Sequence, residues 1–239
     1  MEMKMKKIKV KVGNKESTLK INRPSWKDMF SHYKTMESAK FYSIVSSQWD
    51  KNAKSEDPET RGAWENTCAG RMSYALNHSG FILPKNPKGA FIGEEDGYSH
   101  WFRVRELREY LKKSFGKGDV EYSLPAFNYD KNTGVDINEK VKKIKEKIDE
   151  RIKLVQDNVL EKIKSKKGIV VFEVSGWRNA SRHFTLWDGG NLLYAPGHEN
   201  ESAYEYYING FIYNYYFWFV QETNSKIVQT NKIIFWELK

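Results

Sequence analysis

Cys68 is the single cysteine among 239 residues, and it stands in the stretch Asn66-Thr67-Cys68-Ala69-Gly70-Arg71-Met72-Ser73-Tyr74, where a helix is expected to begin. One thiol cannot close an intrachain disulfide. Taken alone, a lone cysteine reads equally as inert buried filler and as a nucleophile. At a helix N-terminus, however, the unpaired amides and the macrodipole stabilise a thiolate, lowering the pKa from about 8.5 toward neutrality. The same amides can hold an oxyanion. Acyl chemistry at such a thiolate needs a base within about 3 Å. Five histidines are candidates: His32, His78, His100, His183 and His198. His183 is the best placed, because it follows the loop 175–182 and opens the run His183-Phe184-Thr185-Leu186-Trp187, a strand whose rigid end can hold the ring. His32, His78 and His100 read as ordinary surface or hydrogen-bonded side chains.

Other chemistries find less support. One cysteine with scattered histidines lacks the paired spacings of a structural zinc site, and His198-Glu199 alone is uninformative. Gly189-Gly190 reads as a hairpin turn rather than a phosphate-binding loop. No serine-centred nucleophile elbow is present. The expected site therefore uses neither a metal nor a cofactor.

The elements that must position Cys68 and His183 follow from hydrophobic period. Residues 6–11 alternate Lys with Ile or Val, and with a second short alternating piece at 17–21 they predict a peripheral hairpin around Gly13-Asn14. Met29, Tyr33, Met36 and Phe41 recur at loosely helical spacing, and 41–49 continues as a second helix; 51–61, which carries Pro58, reads as a loop. Asn66 or Thr67 caps a helix from Cys68 to His78, with Ala69, Met72, Ala75 and Leu76 as its buried stripe and Gly80 as its stop. Residues 101–115 predict a surface helix. A long helix over 137–163 carries Ile137, Val141, Ile144, Ile148, Ile152, Val155 and Val159 on one face and lysines on the other; the bland reading is a solvated face over a core-facing stripe. The period then changes to that of a sheet, with strands at 168–174, 183–187, 191–195 and 232–238; 204–219 is open between strand and helix. A helix-borne cysteine followed by an antiparallel sheet carrying a histidine is the order of elements in papain-like thiol hydrolases. The expected fold class is α+β.

Composition bounds the partners. Hydrophobic content of 39% with 15% aromatics excludes general disorder, and a net charge of +9 favours a polyanionic partner such as nucleic acid, an acidic membrane or an anionic wall polymer. The basic N-terminus is followed by no apolar run, so no Sec-type signal is read, and 211–220 is too short and too polar to span a bilayer.

Several separated motifs, in order, resemble the type VI secretion amidase effectors of family 4. They are Asn66-Thr67-Cys68-Ala69-Gly70-Arg71-Met72-Ser73, Phe102-Arg103-Val104 with Leu107 and Tyr110-Leu111 before Phe115-Gly116-Lys117, the run from Gly168 to Trp177, and His183-Phe184-Thr185-Leu186-Trp187-Asp188-Gly189. Arg23-Pro24-Ser25-Trp26 and Phe235-Trp236-Glu237-Leu238 match as well. The resemblance implies a papain-like peptidoglycan amidase domain over 23–239, with 1–22 as an extension and the lysine-rich helix at about 137–163 as an insertion. It implies cleavage of the amide between D-glutamate and diaminopimelate in wall stem peptides, with Cys68 as nucleophile and His183 as base and acid. Implied partners are bacterial peptidoglycan, a cognate immunity protein and a component of the secretion apparatus. Neither nucleic acid nor membrane insertion belongs to that expectation. The protein would be made in the cytoplasm and act in the periplasm of a target cell. The competing readings are a non-catalytic nucleic-acid or polysaccharide-binding module, and a thiol acyltransferase or different amide hydrolase on the same fold.

The chain departs from the family pattern at the third catalytic position, where an aspartate is expected on the strand after the histidine strand. The hairpin offers Tyr194 opposite His183 if its loop is Asp188-Gly189, or Pro196 if the loop is Gly189-Gly190. Asp188 itself lies five residues along the strand, about 17 Å away and on the opposite face. The orienting group is therefore expected to be Tyr194 through its hydroxyl, or His198 or Glu199 brought back by the loop.

Overall fold

The computed structural model of the chain describes every residue except 1–5, 13–14, 22, 65, 86–88, 129–135, 178–181, 194–205, 208–209, 214–215 and 224–225. The chain divides into two units, residues 1–118 with 236–239 and residues 119–235, each described in turn.

In the first unit, strands β1 (Lys6–Val12) and β2 (Lys15–Ile21) pair antiparallel with Lys6 opposite Ile21 and Val12 opposite Lys15. Helix α1 (Trp26–His32) starts at Ser25, whose Oγ accepts the amide of Asp28, and stops at Tyr33, which is extended. The expected second helix is split into α2 (Ser38–Ser43) and α3 (Ser47–Ala53). Ser46 causes the split: its backbone is extended and its hydroxyl takes the Trp49 amide, offering the chain an alternative to helix. The expected loop at 51–61 contains the end of α3 and the start of α4 (Pro58–Ala63). Pro58 opens α4 because a first-turn proline forfeits no helical hydrogen bond, and the Asp57 carboxylate accepts the amides of Glu59 and Thr60.

Helix α5 (Cys68–His78) has the bounds expected of it, and Ala69, Met72, Ala75 and Leu76 are buried. It ends through Ser79 and Gly80, with the Phe81 amide reaching the Leu76 carbonyl. Its polar residues are buried too, because they complete the hydrogen bonding of β4 (Ser99–Trp101), which pairs with β3 (Ala90–Ile92). Ser73 Oγ donates to the Trp101 carbonyl at 3.1 Å and accepts the Trp101 amide at 3.0 Å, while Asn77 Nδ2 donates to the Ser99 carbonyl at 2.9 Å. The helix expected from Trp101 begins three residues later as α6 (Val104–Phe115), since Trp101 belongs to β4. Arg23 ties this unit together, donating to the carbonyls of Glu237 and Phe115 at 3.1 and 3.0 Å.

The second unit holds β5 (Val120–Ser123), α7 (Ile137–Val155), a π turn at Gln156–Leu160, α8 (Glu161–Ile163), β6 (Lys167–Ser175), β7 (Arg182–Trp187), β8 (Tyr206–Tyr207), β9 (Gly210–Tyr213), β10 (Val220–Thr223) and β11 (Lys226–Leu238) up to Phe235. The strand order is β7-β6-β11-β10-β9-β8, with β5 also pairing with β11. The long helix expected over 137–163 is interrupted by the π turn, and its stripe is buried in part: Ile144, Ile148, Val155 and Val159 are buried, Val141 and Ile152 are half-buried, and the Ile137 side chain lies outside those described. Arg151, on the same helix, is buried as well, donating to the carbonyls of Pro125 and Thr230. Its burial holds the guanidinium down at about 10. Segment 204–219 contains β8 and β9, and the closing strand starts at Lys226 rather than 232. Helices preceding an antiparallel sheet make the fold α+β.

Candidate active site

Cys68 is the first residue of α5 and is partly exposed, outside any disulfide. Thr67 occupies the N-cap position, but no side-chain cap is made there. Its Oγ1 accepts instead from Arg71 Nε at 2.7 Å, and its carbonyl accepts the Arg71 amide at 2.8 Å. The cap expected of Thr67 or Asn66 is thus replaced by a clasp on Arg71, leaving the first turn without a side-chain acceptor from its cap residue. Gly70, in the same turn, is where the ring of Phe102 packs: a Cβ there would lie 2.7 Å from Phe102 Cε1. Phe102 belongs with Trp64 to the aromatic cluster around Tyr42 and Trp49. Tyr42 is buried, and burial pushes its phenol well above the usual tyrosine range; Arg71 opposes that rise and Cys68 adds to it.

His183 is the second residue of β7, paired with Phe172 of β6. Its imidazole lies flat on Tyr216, with ring centroids 4.1 Å apart and planes 8° apart. Phe172, Trp177 and Phe219 pack around the same Tyr216 ring at 5.5, 6.0 and 5.7 Å. Tyr216 was not legible as a site residue, since it stands far from His183 in sequence within a tyrosine-rich stretch.

The turn after β7 uses Gly189 and Gly190 as its loop, because the Asp188 amide donates to the Asn191 carbonyl at 3.1 Å and Trp187 bridges Leu192. Asp188 serves the turn: its Oδ1 accepts the amides of Gly190 and Asn191 at 2.8 and 2.6 Å. Of the strand expected at 191–195, the described residues show that bridge and the Leu193 amide on the Leu186 carbonyl at 2.9 Å. Tyr194, His198 and Glu199 lie outside the described residues.

The histidines set aside above have partners in the first unit. His100 Nε2 meets Asp96 Oδ2 at 2.9 Å and His78 Nε2 meets the same oxygen at 3.1 Å, while His32 bonds the Asp28 carbonyl through Nδ1 at 2.8 Å. Among the described residues no group of three or more His, Cys, Asp or Glu could hold a metal ion.

The model of one protein family, described as type VI secretion system (T6SS) amidase effector protein 4, Tae4, matches residues 64–236, a span that contains both Cys68 and His183. The chain belongs to the Tae4 family. It is a T6SS amidase effector by that membership, and hence a hydrolase. Among solved structures it is similar to Tae4 from Enterobacter cloacae, with 20% identity and a TM-score of 0.55 over 91% of this chain and 98% of that one. The Tae4–Tai4 effector–immunity complex from Enterobacter cloacae matches at 21% identity and a TM-score of 0.56, over 91% of this chain and all of that one. The corresponding complex from Salmonella Typhimurium matches at 22% and 0.54, over the same shares. These likenesses establish the Tae4 fold. No curated protein sequence matches the chain. Among the described residues, no Tae4 helix here is long and apolar enough to cross a membrane.

Proposed function

We propose that the chain is a cysteine amidase that cuts the bond between D-glutamate and meso-diaminopimelate in peptidoglycan stem peptides. The observation that carries this reading is the placement of Cys68 as the first residue of α5, inside the segment matched by the amidase family, at a helix start whose N-cap side chain is turned away. The Cys68 thiolate attacks the scissile carbonyl carbon, and the first-turn amides stabilise the resulting oxyanion. The C–N bond breaks as His183, protonated, gives its proton to the leaving diaminopimelate amine. Water then attacks the thioester, His183 takes one of its protons, and the C–S bond breaks to release the glutamyl carboxylate and restore the thiolate. Tyr194, His198 and Glu199 are the candidates we keep for orienting His183, and with Gly189-Gly190 as the loop the hairpin register does not favour Tyr194 among them.

The net charge of +9 suits an anionic wall polymer. Complexes of related effectors with Tai4 support a cognate immunity protein for this chain too, and the T6SS family supports delivery into the periplasm of a target cell. The test is incubation of the protein and of Cys68→Ala with purified sacculi, followed by mass spectrometry of the muropeptides. New D-glutamate-terminated products with the native chain and none with Cys68→Ala are expected. Intact muropeptides with the native chain reject the reading, and cleavage elsewhere in the stem corrects the bond.

A further inference from the structure

Arg71 follows Cys68 by three residues on α5, a spacing at which side chains on a helix are neighbours. It is 5% exposed. Two neutral acceptors hold its guanidinium: Nε donates to Thr67 Oγ1 and Nη1 to the Lys34 carbonyl, each at 2.7 Å. The ring of Phe41 lies beneath it, 5.0 Å away. No carboxylate bonds it among the described residues. Among the described residues, the ionisable neighbours whose anionic forms would favour its charge are Tyr33, Tyr42 and Cys68, while the nearby cation Lys34 points its ammonium at the Tyr74 ring, 5.6 Å away.

A buried cation without an anion is unfavourable, so the site favours ionisation of whichever neighbour ionises most readily. Phenols ordinarily ionise near pH 10 and thiols near 8.5, and burial pushes Tyr42 up further. The thiol is left as the counter-anion. Thr67 is consistent with this, because its hydroxyl forgoes the helix cap to anchor the guanidinium one residue from Cys68.

We propose that Arg71 is the internal counter-cation of the Cys68 thiolate, a positioning residue that Thr67 and the Lys34 carbonyl hold in place and that keeps the nucleophile ionised at neutral pH. The inference rests on Cys68 being the nucleophile of the proposed amidase.

Because the chain has one cysteine, the rate of iodoacetamide alkylation against pH reports on Cys68 alone. The native protein is expected to show a half-point below the ordinary thiol value of about 8.5. Arg71→Met raises that half-point by about one unit, leaving roughly tenfold less thiolate at neutral pH, and Arg71→Lys restores most of the shift. A native half-point at or above the ordinary value overturns the proposal, as does an unchanged half-point in a folded Arg71→Met protein. If circular dichroism shows Arg71→Met unfolded, Thr67→Val is titrated instead: a smaller upward movement is expected, and no movement overturns the proposal. Alkylation needs no wall substrate. A native protein inert toward sacculi but with an Arg71-dependent half-point would reject the amidase reading while upholding the Arg71–Cys68 pairing.

Discussion

The imidazole of His183 lies parallel to the phenol ring of Tyr216 at a centroid distance of 4.1 Å, and Tyr216 is itself packed by Phe172, Trp177 and Phe219. An aromatic face fixes the plane of an imidazole even though it makes no hydrogen bond with it. In the proposed amidase this stacking restricts the base to the orientations from which it can exchange a proton.

Tyr216→Leu should therefore lower kcat/KM on sacculi by about tenfold, since an aromatic pair is worth about 0.5–1.5 kcal/mol and 1.36 kcal/mol is a factor of ten in rate. Tyr216→Phe keeps the ring and should stay within about twofold, well under 1 kcal/mol on the same scale. Equal losses in the two variants would show that the hydroxyl, not the stacking, matters.

Asp188 gives a contrasting expectation. Its carboxylate is engaged by the amides of Gly190 and Asn191, so Asp188→Ala should destabilise the protein by about 1 kcal/mol, the worth of a turn hydrogen bond. Asp188→Asn, which keeps an acceptor oxygen, should be milder in a urea titration. A variant of native stability that had lost all hydrolysis would instead make Asp188 a member of the catalytic group.

Asp96 joins His78, His100 and the Tyr98 amide in the first unit. Burial works to raise its pKa, but the hydrogen bond and charge of His100, with the Tyr98 amide and His78, outweigh it and hold the carboxyl below its ordinary 3.8. A depressed carboxyl contributes stability that is complete above the unfolded value and is lost as pH falls through the folded one. Denaturation midpoints should consequently fall below pH 3.8, and Asp96→Asn should flatten that dependence. At neutral pH the same change should cost about 1–3 kcal/mol, because it weakens the partner of the buried His100. An Asp96→Asn protein with the native acid profile would refute the assignment.

Gly176, at the end of β6, has a φ of 92°, and a Cβ placed there would lie 2.5 Å from the Ile227 carbonyl oxygen. Gly176→Ala combines a left-handed backbone with a backbone clash that no side-chain movement relieves. It should cost at least about 1–3 kcal/mol, read as a lowered thermal midpoint. A midpoint within a degree of the native one would contradict the geometry.

Local pattern made much of this protein legible. The α5 bounds, its buried stripe, strands β6 and β7 and the burial of Ile144, Ile148 and Val155 on α7 follow from residue period and from Gly80, because periodicity and capping act over a few neighbouring residues. Short-range competition was harder to see: Ser46 divides a helical run and Pro58 starts a helix where a loop was expected, each through a side-chain or proline preference that composition alone leaves ambiguous. Strands β3, β5 and β10 are three or four residues long, too short to show a period.

By itself, then, the sequence determined the α+β class, the family, and Cys68 and His183 as the residues to examine, since each depends on residue type and on order along the chain. Tertiary structure decided what surrounds them. Tyr216 comes to His183 from 33 positions away, and Thr67 turns from cap to clasp because Arg71 is buried against it. Ring stacking and the burial of a cation depend on distance in space, and a linear pattern carries no such distance.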